Sequence, residues 1–454
     1  MDRLTRHSQA SRLSASRSFH RLLAAALAAP LVVLAGCSGN SEPGVKSDLM
    51  RAEGVQMRTV ELSGADALDS VVEAAVAVGA TTLQTAGGED NLVVSPSSLV
   101  TALAMLADGA KGQTLTDLEL MLGASGDQRR DAFAALQRAI GQHDGDPVLA
   151  TGDELPDKPI LHLASQVVID DGFEVNKNYL EALADGYDAG AQHADLSSSA
   201  GKKVLDAWVN HHTGGLIEES AIEPSDDLRL VLQDAILFAG RWQYEFSALA
   251  TWQQPFNLAD GTQVDVETMS TIDASFSYAE LSDGWVAVRM PYQDAAYADV
   301  LLPPQGTDPA QAMPSLLAEA KAKLNQNEPV EIAVSLPKVD IKDAAPLDLI
   351  GSGVFEQLGI ASTLCTSGAA DLSGIALAPG ELCLEQAMQQ AVLQIDEAGT
   401  VAAAVTELGV GVTSAPMPPA NEVHFDRPFL FTINHDESGW PLFYAAIRDP
   451  RAAA

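Results

Sequence analysis

The chain has 454 residues, 62 acidic against 26 basic, for a formal net charge of −36. With 47% hydrophobic and 19% charged residues it can bury a large core, which excludes global disorder. The negative field repels phosphate backbones and no stretch interleaves Lys or Arg with aromatics, so nucleic acid is not an expected partner. Acidity favours solubility and by itself names no partner.

Five arginines, Arg3, Arg6, Arg12, Arg17 and Arg21, precede an apolar run of 15 residues, 22–36. A membrane-spanning helix needs about 20 residues, so the run suits the apolar part of an export signal. It ends Leu34-Ala35-Gly36-Cys37, which resembles a bacterial lipobox, where the thiol is acylated and becomes the first mature residue. Residues 1–36 are therefore expected to be a leader, and 37–60 a flexible tether anchored through lipid on Cys37. That is also the only membrane contact expected, at the outer face of the cell membrane. Loss of the leader leaves 21 basic against 61 acidic residues. Cys365 and Cys383 then remain, 18 positions apart; in an oxidising compartment they either pair or stay as two buried thiols.

Apolar stripes at three- and four-residue spacing predict helices over 65–78, 98–106, 115–122 and 130–140. Strands are expected over 160–169, 228–238, 285–290, 298–302 and 330–336. The chain closes with strands over 389–395, 429–433 and 442–447, the last two separated by the turn signal Asp436-Glu437-Ser438-Gly439. Helices come first and strands later, without regular alternation, so the class is α+β. No repeat or Pro/Ser-rich linker divides residues 61–454, and one large domain is expected.

Enzyme motifs are missing: there is no HExxH, CxxC, GxSxG or glycine-rich phosphate loop. Neighbouring residues on a helix point apart, so His211-His212 makes a poor metal site. Ser199-Ala200-Gly201-Lys202 fits an SxxK pattern but lacks the partner motifs SDN and KTG; a solvated helix start explains it better. The unusual stretch is 391–406, an alternating strand that runs into Gly399 and a train of small residues. Thr400, Ala402, Ala404 and Thr406 would share one face of a strand, all small and uncharged. Such a segment can enter an existing sheet without burying a charge. A long segment rich in Gly, Val, Ser and Pro follows, and loops of more than about 12–15 residues are usually functional or disordered.

Here the sequence is similar to the serpins, from about residue 66 to Pro450. The likeness is carried first by Asn91-Leu-Val-Val-Ser95-Pro96-Ser-Ser98 with Ala102, Met105 and Leu106, and by Gly109-Ala-Lys-Gly-Gln-Thr114. Trp208-Val-Asn210, Thr213, Gly215 and Ile217 come next, followed by the run from Asp234 to Trp242 with Phe246. Leu336-Pro337-Lys338, Leu358-Gly359-Ile360 and Asp371-Leu-Ser-Gly374 continue it, and Phe425-Asp-Arg-Pro-Phe429 and Pro441-Leu-Phe443 complete it. The resemblance implies helices packed on a five-stranded central sheet, with further sheets and an exposed reactive-centre loop, here about 397–422. It also implies a suicide substrate and not an enzyme. A serine protease cleaves the loop, and the severed loop inserts into the sheet and traps the acyl-enzyme as a covalent 1:1 complex. A monomer without cofactor or metal is expected. The hinge residues Glu397, Gly399, Thr400, Ala402, Ala403 and Ala404 fit the inhibitory pattern, while Val401 replaces a usual acidic residue and would point outward. A non-inhibitory surface binding module on the same fold is the alternative.

Beneath the sheet opening the family usually pairs an Asn with a His. The matching positions are Asp234 and Gln389, beside Ser95 and Ser98, and the Gln amide is expected to donate to the carboxylate. Family spacing from Glu397 puts the reactive bond at Thr413–Ser414, with Val412–Thr413 as the alternative. Counting back from Phe425 gives Met417, but a following Pro disfavours cleavage there. No Arg, Lys or large aromatic lies in 410–413, which disfavours trypsin-like targets and suits elastase-like or subtilisin-like ones.

Overall fold

The computed structural model describes residues 55–451, apart from 153, 272–273, 343–344, 377, 379 and 402–421. Four helices lead: α1 (Leu68–Ala86), α2 (Pro96–Gly109), α3 (Gly112–Leu122) and α4 (Gly126–Ile140). Each extends its apolar stripe by at least part of a turn, because capping rather than periodicity sets a helix end. On α2 the Ser95 hydroxyl accepts from the Ser98 N–H and Pro96 fills the first turn, where its missing N–H costs nothing. Nearly all of α2 is buried, which makes it the floor on which the central sheet rests. On α3 the end is set by Gly123, left-handed at φ 72°.

α6 (Ser199–His212) begins at the helix start expected at Ser199, whereas α5 (Lys177–Tyr187), α7 (Pro314–Gln326) and the short α8 (Val354–Gln357) were not anticipated. The SxxK quartet is the first turn of α6, capped by Ser198, and its Lys202 ammonium is held by Asp206 at 2.5 Å and the Ser220 carbonyl at 2.8 Å. A lysine so engaged is no general base. Among the described residues no helix is long and apolar enough to cross a membrane.

In chain order the strands begin with β1 (Leu92–Val94), β2 (Ile160–Asp170), β3 (Gly190–Ala194) and β4 (Leu230–Arg241). The middle contributes β5 (Thr251–Asn257), β6 (Gln263–Ser270), β7 (Ser275–Glu280), β8 (Val286–Pro291) and β9 (Ala296–Leu302). After α7 come β10 (Val330–Glu331), β11 (Ala333–Pro337), β12 (Val339–Ile341) and β13 (Leu347–Asp348). The last are β14 (Met388–Gln389), β15 (Leu393–Ile395), β16 (Gly399–Thr400), β17 (Glu422–His424), β18 (Phe429–His435) and β19 (Pro441–Ile447). They form a seven-stranded sheet, β1-β19-β18-β9-β8-β7-β10, a four-stranded sheet, β17-β11-β6-β5, and a central sheet, β12-β15-β16-β4-β2-β3. The class is α+β, as expected.

Three expectations need correction. The strand expected over 330–336 is two: β10 pairs with β7 and β11 with β6, the chain crossing between sheets at the buried Ile332. The strand expected over 389–395 is also two, because Gln389 pairs through β14 with β13 and only Leu393–Ile395 reach the central sheet. The central sheet has six strands rather than five, the sixth being the two residues of β16.

Cys365 and Cys383 are joined by a disulfide, with Cα atoms 4.8 Å apart. Closing a loop of 18 positions restricts the unfolded chain by about 3 kcal/mol in the chain-entropy account. Replacing both cysteines by serine is expected to lower stability by about that amount, read as an earlier midpoint in urea unfolding.

Candidate functional site

A tight turn after β15 starts a new strand. The Asp396 carboxylate accepts from the N–H groups of Ala398 and Gly399 at 2.9 and 3.0 Å, and the Asp396 N–H donates to the Gly399 carbonyl at 3.0 Å. The Trp242 indole N–H donates to the Asp396 carbonyl at 3.0 Å, and the Phe246 N–H to that of Glu397 at 2.9 Å. The chain therefore turns back on β15 and enters beside β4, with Gly399 opposite Arg241 and Thr400 opposite Gly240. Position 399 admits only glycine, since a Cβ there would overlap the Gly240 carbonyl.

Side-chain contacts hold this start of a strand in place. The Thr400 hydroxyl, 2% exposed as a residue, accepts from the Tyr292 hydroxyl at 2.6 Å. Tyr292 in turn stacks on Trp242 at 4.3 Å and meets Phe238 edge-on at 4.7 Å. Lys338 pairs with the Glu397 carboxylate at 3.0 Å. Burial pushes that carboxyl up, but the lysine, a backbone N–H and the Thr251 hydroxyl together hold the group below the usual glutamate range. Val401 corrects an expectation: it is 8% exposed and packs with Ile160, Leu237 and Ala239 on the sheet's other face. That face is covered, so a side chain directed away from the core side still finds apolar neighbours.

Below Thr400 the sheet is open. A cavity of about 660 Å³ lies between β4 and residues 388–394. Its floor is Ser95, Ser98, Leu99 and Ala102 of the α2 region, and Leu216, Ile217, Ser220 and Ile222, which follow α6, line it as well. Strand β4 pairs with β2 through ten residues, Ile160↔Ala239 to Ile169↔Leu230. On its other edge the described residues pair only with Arg241 and Gly240. An unpaired strand edge next to a cavity is a template for another strand.

The four residues expected beneath the opening do meet there, but in a different arrangement. Gln389 clamps the peptide of Ser95, its Nε2 donating to the Ser95 carbonyl at 2.8 Å and its Oε1 accepting from the Ser95 N–H at 3.2 Å. Asp234 instead receives the Ser165 hydroxyl on Oδ2 at 2.6 Å, because Ser165 stands opposite it in the β2–β4 register. Ser98 donates to the Asp234 backbone carbonyl at 3.2 Å, and Ser95 to that of Leu442 at 2.8 Å. The expected Gln389–Asp234 hydrogen bond is thus replaced: the amide has both ends on the backbone of one residue, Ser95, and the carboxylate turns to the neighbouring strand. Asp234 Oδ1 is sealed from solvent without a partner. Burial pushes this carboxyl up to about 7, against the hydroxyls of Ser165 and Ser98.

The hinge residues Ala402, Ala403 and Ala404 lie outside the described residues, as do Val412, Thr413, Ser414 and Cys37. Sequence reasoning missed Tyr292, Ser165 and the partnership of Lys338 with Glu397. Ser165 was reachable by aligning the two longest strands; Tyr292 carries no local signal. His212 does not act with His211 but meets His162 at 2.9 Å, whose other nitrogen meets Asp144 at 2.6 Å. Among the described residues no group of three or more His, Cys, Asp or Glu could hold a metal ion.

Residues 75–450 match the family described as Serpin (serine protease inhibitor), and the chain belongs to that family. Alpha-1-antitrypsin 1-5 of Mus musculus is 32% identical over 369 residues, 79% of this chain and 83% of that protein. Iripin-8 of Ixodes ricinus is 28% identical over 368 residues, 79% of this chain and 87% of that protein. Among solved structures, the thermophilic serpin tengpin in its native state superposes with a TM-score of 0.71 at 20% identity, covering 88% of this chain and 97% of that one.

Gln389→Ala strips both bonds from the buried Ser95 peptide and is expected to cost about 2 kcal/mol. Because Asp234 and Gln389 do not touch through their side chains, Gln389→Ala combined with Asp234→Asn should be additive within about 0.5 kcal/mol. A double-mutant cycle in urea unfolding measures this.

Proposed function

We propose that the chain inhibits serine proteases as a suicide substrate, its loop cut at Thr413–Ser414. The observation that carries the reading is β16, a strand begun between β15 and β4 above an open slot. Continuing the Thr400↔Gly240 register down β4 brings Val410 opposite Leu230, the first residue of that strand. A loop severed after Thr413 is therefore long enough to fill the slot to its far end. The protease serine attacks the Thr413 carbonyl carbon, the amine of Ser414 leaves, and an ester joins the two proteins. Insertion then pairs the free edge of β4 and fills the cavity, and both changes favour the inserted state.

Val410, Gly411, Val412 and Thr413 are small, and the reading favours elastase-like or subtilisin-like targets. Incubation of the chain with pancreatic elastase and subtilisin tests it. A denaturant-resistant species at the summed mass and a released peptide starting at Ser414 are expected. Loop cleavage with a fully active protease, repeated over a wider panel, would make the chain a non-inhibitory binding module instead.

The same proposal places the inhibitor outside the cell, tethered by residues 37–60 through lipid on Cys37. Labelled fatty acid should enter the chain, and Cys37→Ser should abolish the labelling and release the protein from membranes. Labelling that survives the substitution would refute the anchor.

A further inference from the structure

The connection between α4 and β2, residues 141–159, lies against the hinge. Its short helical turn, Pro147–Thr151, buries Ala150 against the outer face of the central sheet. Ala150 packs there with Ile160, Leu237, Ala239 and Val401, and the half-buried Leu155 packs against the same cluster. The Leu155 side chain also lies over Gly399, where a Cβ would meet Leu155 Cδ1 as well as the Gly240 carbonyl. Its backbone is pinned beside that residue. The Arg241 guanidinium donates to the Leu155 carbonyl at 2.7 Å, and Arg241 stands opposite Gly399 in the β4–β16 register.

The connection is fixed independently of the hinge. Asp144 meets His162 of β2 at 2.6 Å, and the Thr151 hydroxyl donates to the Gly214 carbonyl, just beyond α6, at 3.2 Å. A Cβ at Gly214 would overlap the Pro147 carbonyl, so the two backbones are in close contact. A segment held to β2 and to the end of α6 can press on the hinge without being carried off by it.

We infer that Leu155 is a positioning residue for the hinge: together with Ala150 it makes the connection a clasp that keeps Gly399, Thr400 and Val401 seated in the central sheet. Two residues of pairing are too few to hold a strand end against fraying, so side-chain burial on both faces must secure it. Tyr292 holds Thr400 on the inner face, and the clasp covers Gly399 and Val401 on the outer one. The consequence for trapping rests on the inhibitory reading above. A hinge kept in register begins every insertion from the same place. A hinge free to leave must close again first, which gives the acyl-enzyme more time to hydrolyse.

Hydrogen exchange of the full chain, read by peptic fragmentation and mass analysis, tests the clasp without a protease. The probes are the fragment containing residues 396–401 and the amides of Trp242 and Phe246, which donate to the Ala398 and Glu397 carbonyls at 2.9 Å each. Leu155→Ala is expected to speed exchange at these amides on the order of tenfold. Leu155→Met, which refills the space, should restore the wild-type rates, and the β2–β4 ladder should not change in either variant. Arg241→Ala, which releases the Leu155 carbonyl, should act in the same direction as Leu155→Ala. Unchanged exchange at the hinge in Leu155→Ala, or an equal rise along the β2–β4 ladder, would overturn the inference and leave Leu155 a merely stabilising residue. Titration against the proteases named above is read separately. There Leu155→Ala should raise the amount of chain cleaved for each protease trapped, and a ratio equal to that of the wild type would overturn the link between clasp and trapping. Loop cleavage without trapping by the wild type would overturn the inhibitory reading alone, because the exchange result does not depend on it.

Discussion

Strand β4 pairs with β2 through ten of its twelve residues on one side and, among the described residues, at only two on the other, and the arrangement around it follows from that asymmetry. Backbone N–H and C=O groups are obligatory hydrogen-bonding groups, and protein interiors are close-packed. A free edge above a cavity of about 660 Å³ breaks both tendencies in the middle of the molecule. The floor can tolerate it because α2 is nearly all apolar and turns serine hydroxyls, not charges, toward the opening.

Both ends of the opening are tied by polar contacts that a strand could exchange. At the top are the turn at Asp396, the Lys338–Glu397 pair and the Tyr292–Thr400 bond. At the bottom the Gln386 amide grips the peptide of Glu223, accepting from its N–H at 3.0 Å and donating to its carbonyl at 2.9 Å. Ser225 reaches Glu385 at 3.2 Å. The segment after α6 is steadied by Asp206, which accepts from the Ser220 N–H at 2.9 Å. The Tyr292–Thr400 bond is buried, the Gln386–Glu223 and Ser225–Glu385 contacts are exposed, and the walls they join are anchored in the core. The opening is held by its rims.

Elements with a long, uninterrupted apolar pattern were legible in the sequence, including α1 to α4, β2, β4, β18 and β19. The strands with more exposed and polar residues were not. Residues 251–280 form three of them, and their faces alternate too briefly against a polar background to stand out. α5 hid for another reason: Tyr179, Leu183 and Tyr187 keep helical spacing, but Asp185 and Gly186 interrupt the stripe near its end. At the site, the hinge was visible as composition and the serines through the likeness to a family. The partner of Asp234 was not, because it depends on the register of two strands that brings together residues 69 positions apart. Residues paired by family habit, Asp234 and Gln389, turned to other partners once their chemistry changed. One amide can serve both the N–H and the C=O of a single residue, as Gln389 does at Ser95.

The turn at residues 396–399 also bears on speed. Forming a strand from a free loop requires an entropic cost of closure before any pairing repays it. With Gly399 and Thr400 already bonded to β4, that closure is complete in the resting molecule. In the proposed insertion, what is left is zippering along the register set by these two residues. The contest between insertion and hydrolysis of an acyl bond would then begin from an existing nucleus, and elongation rather than initiation would be its clock.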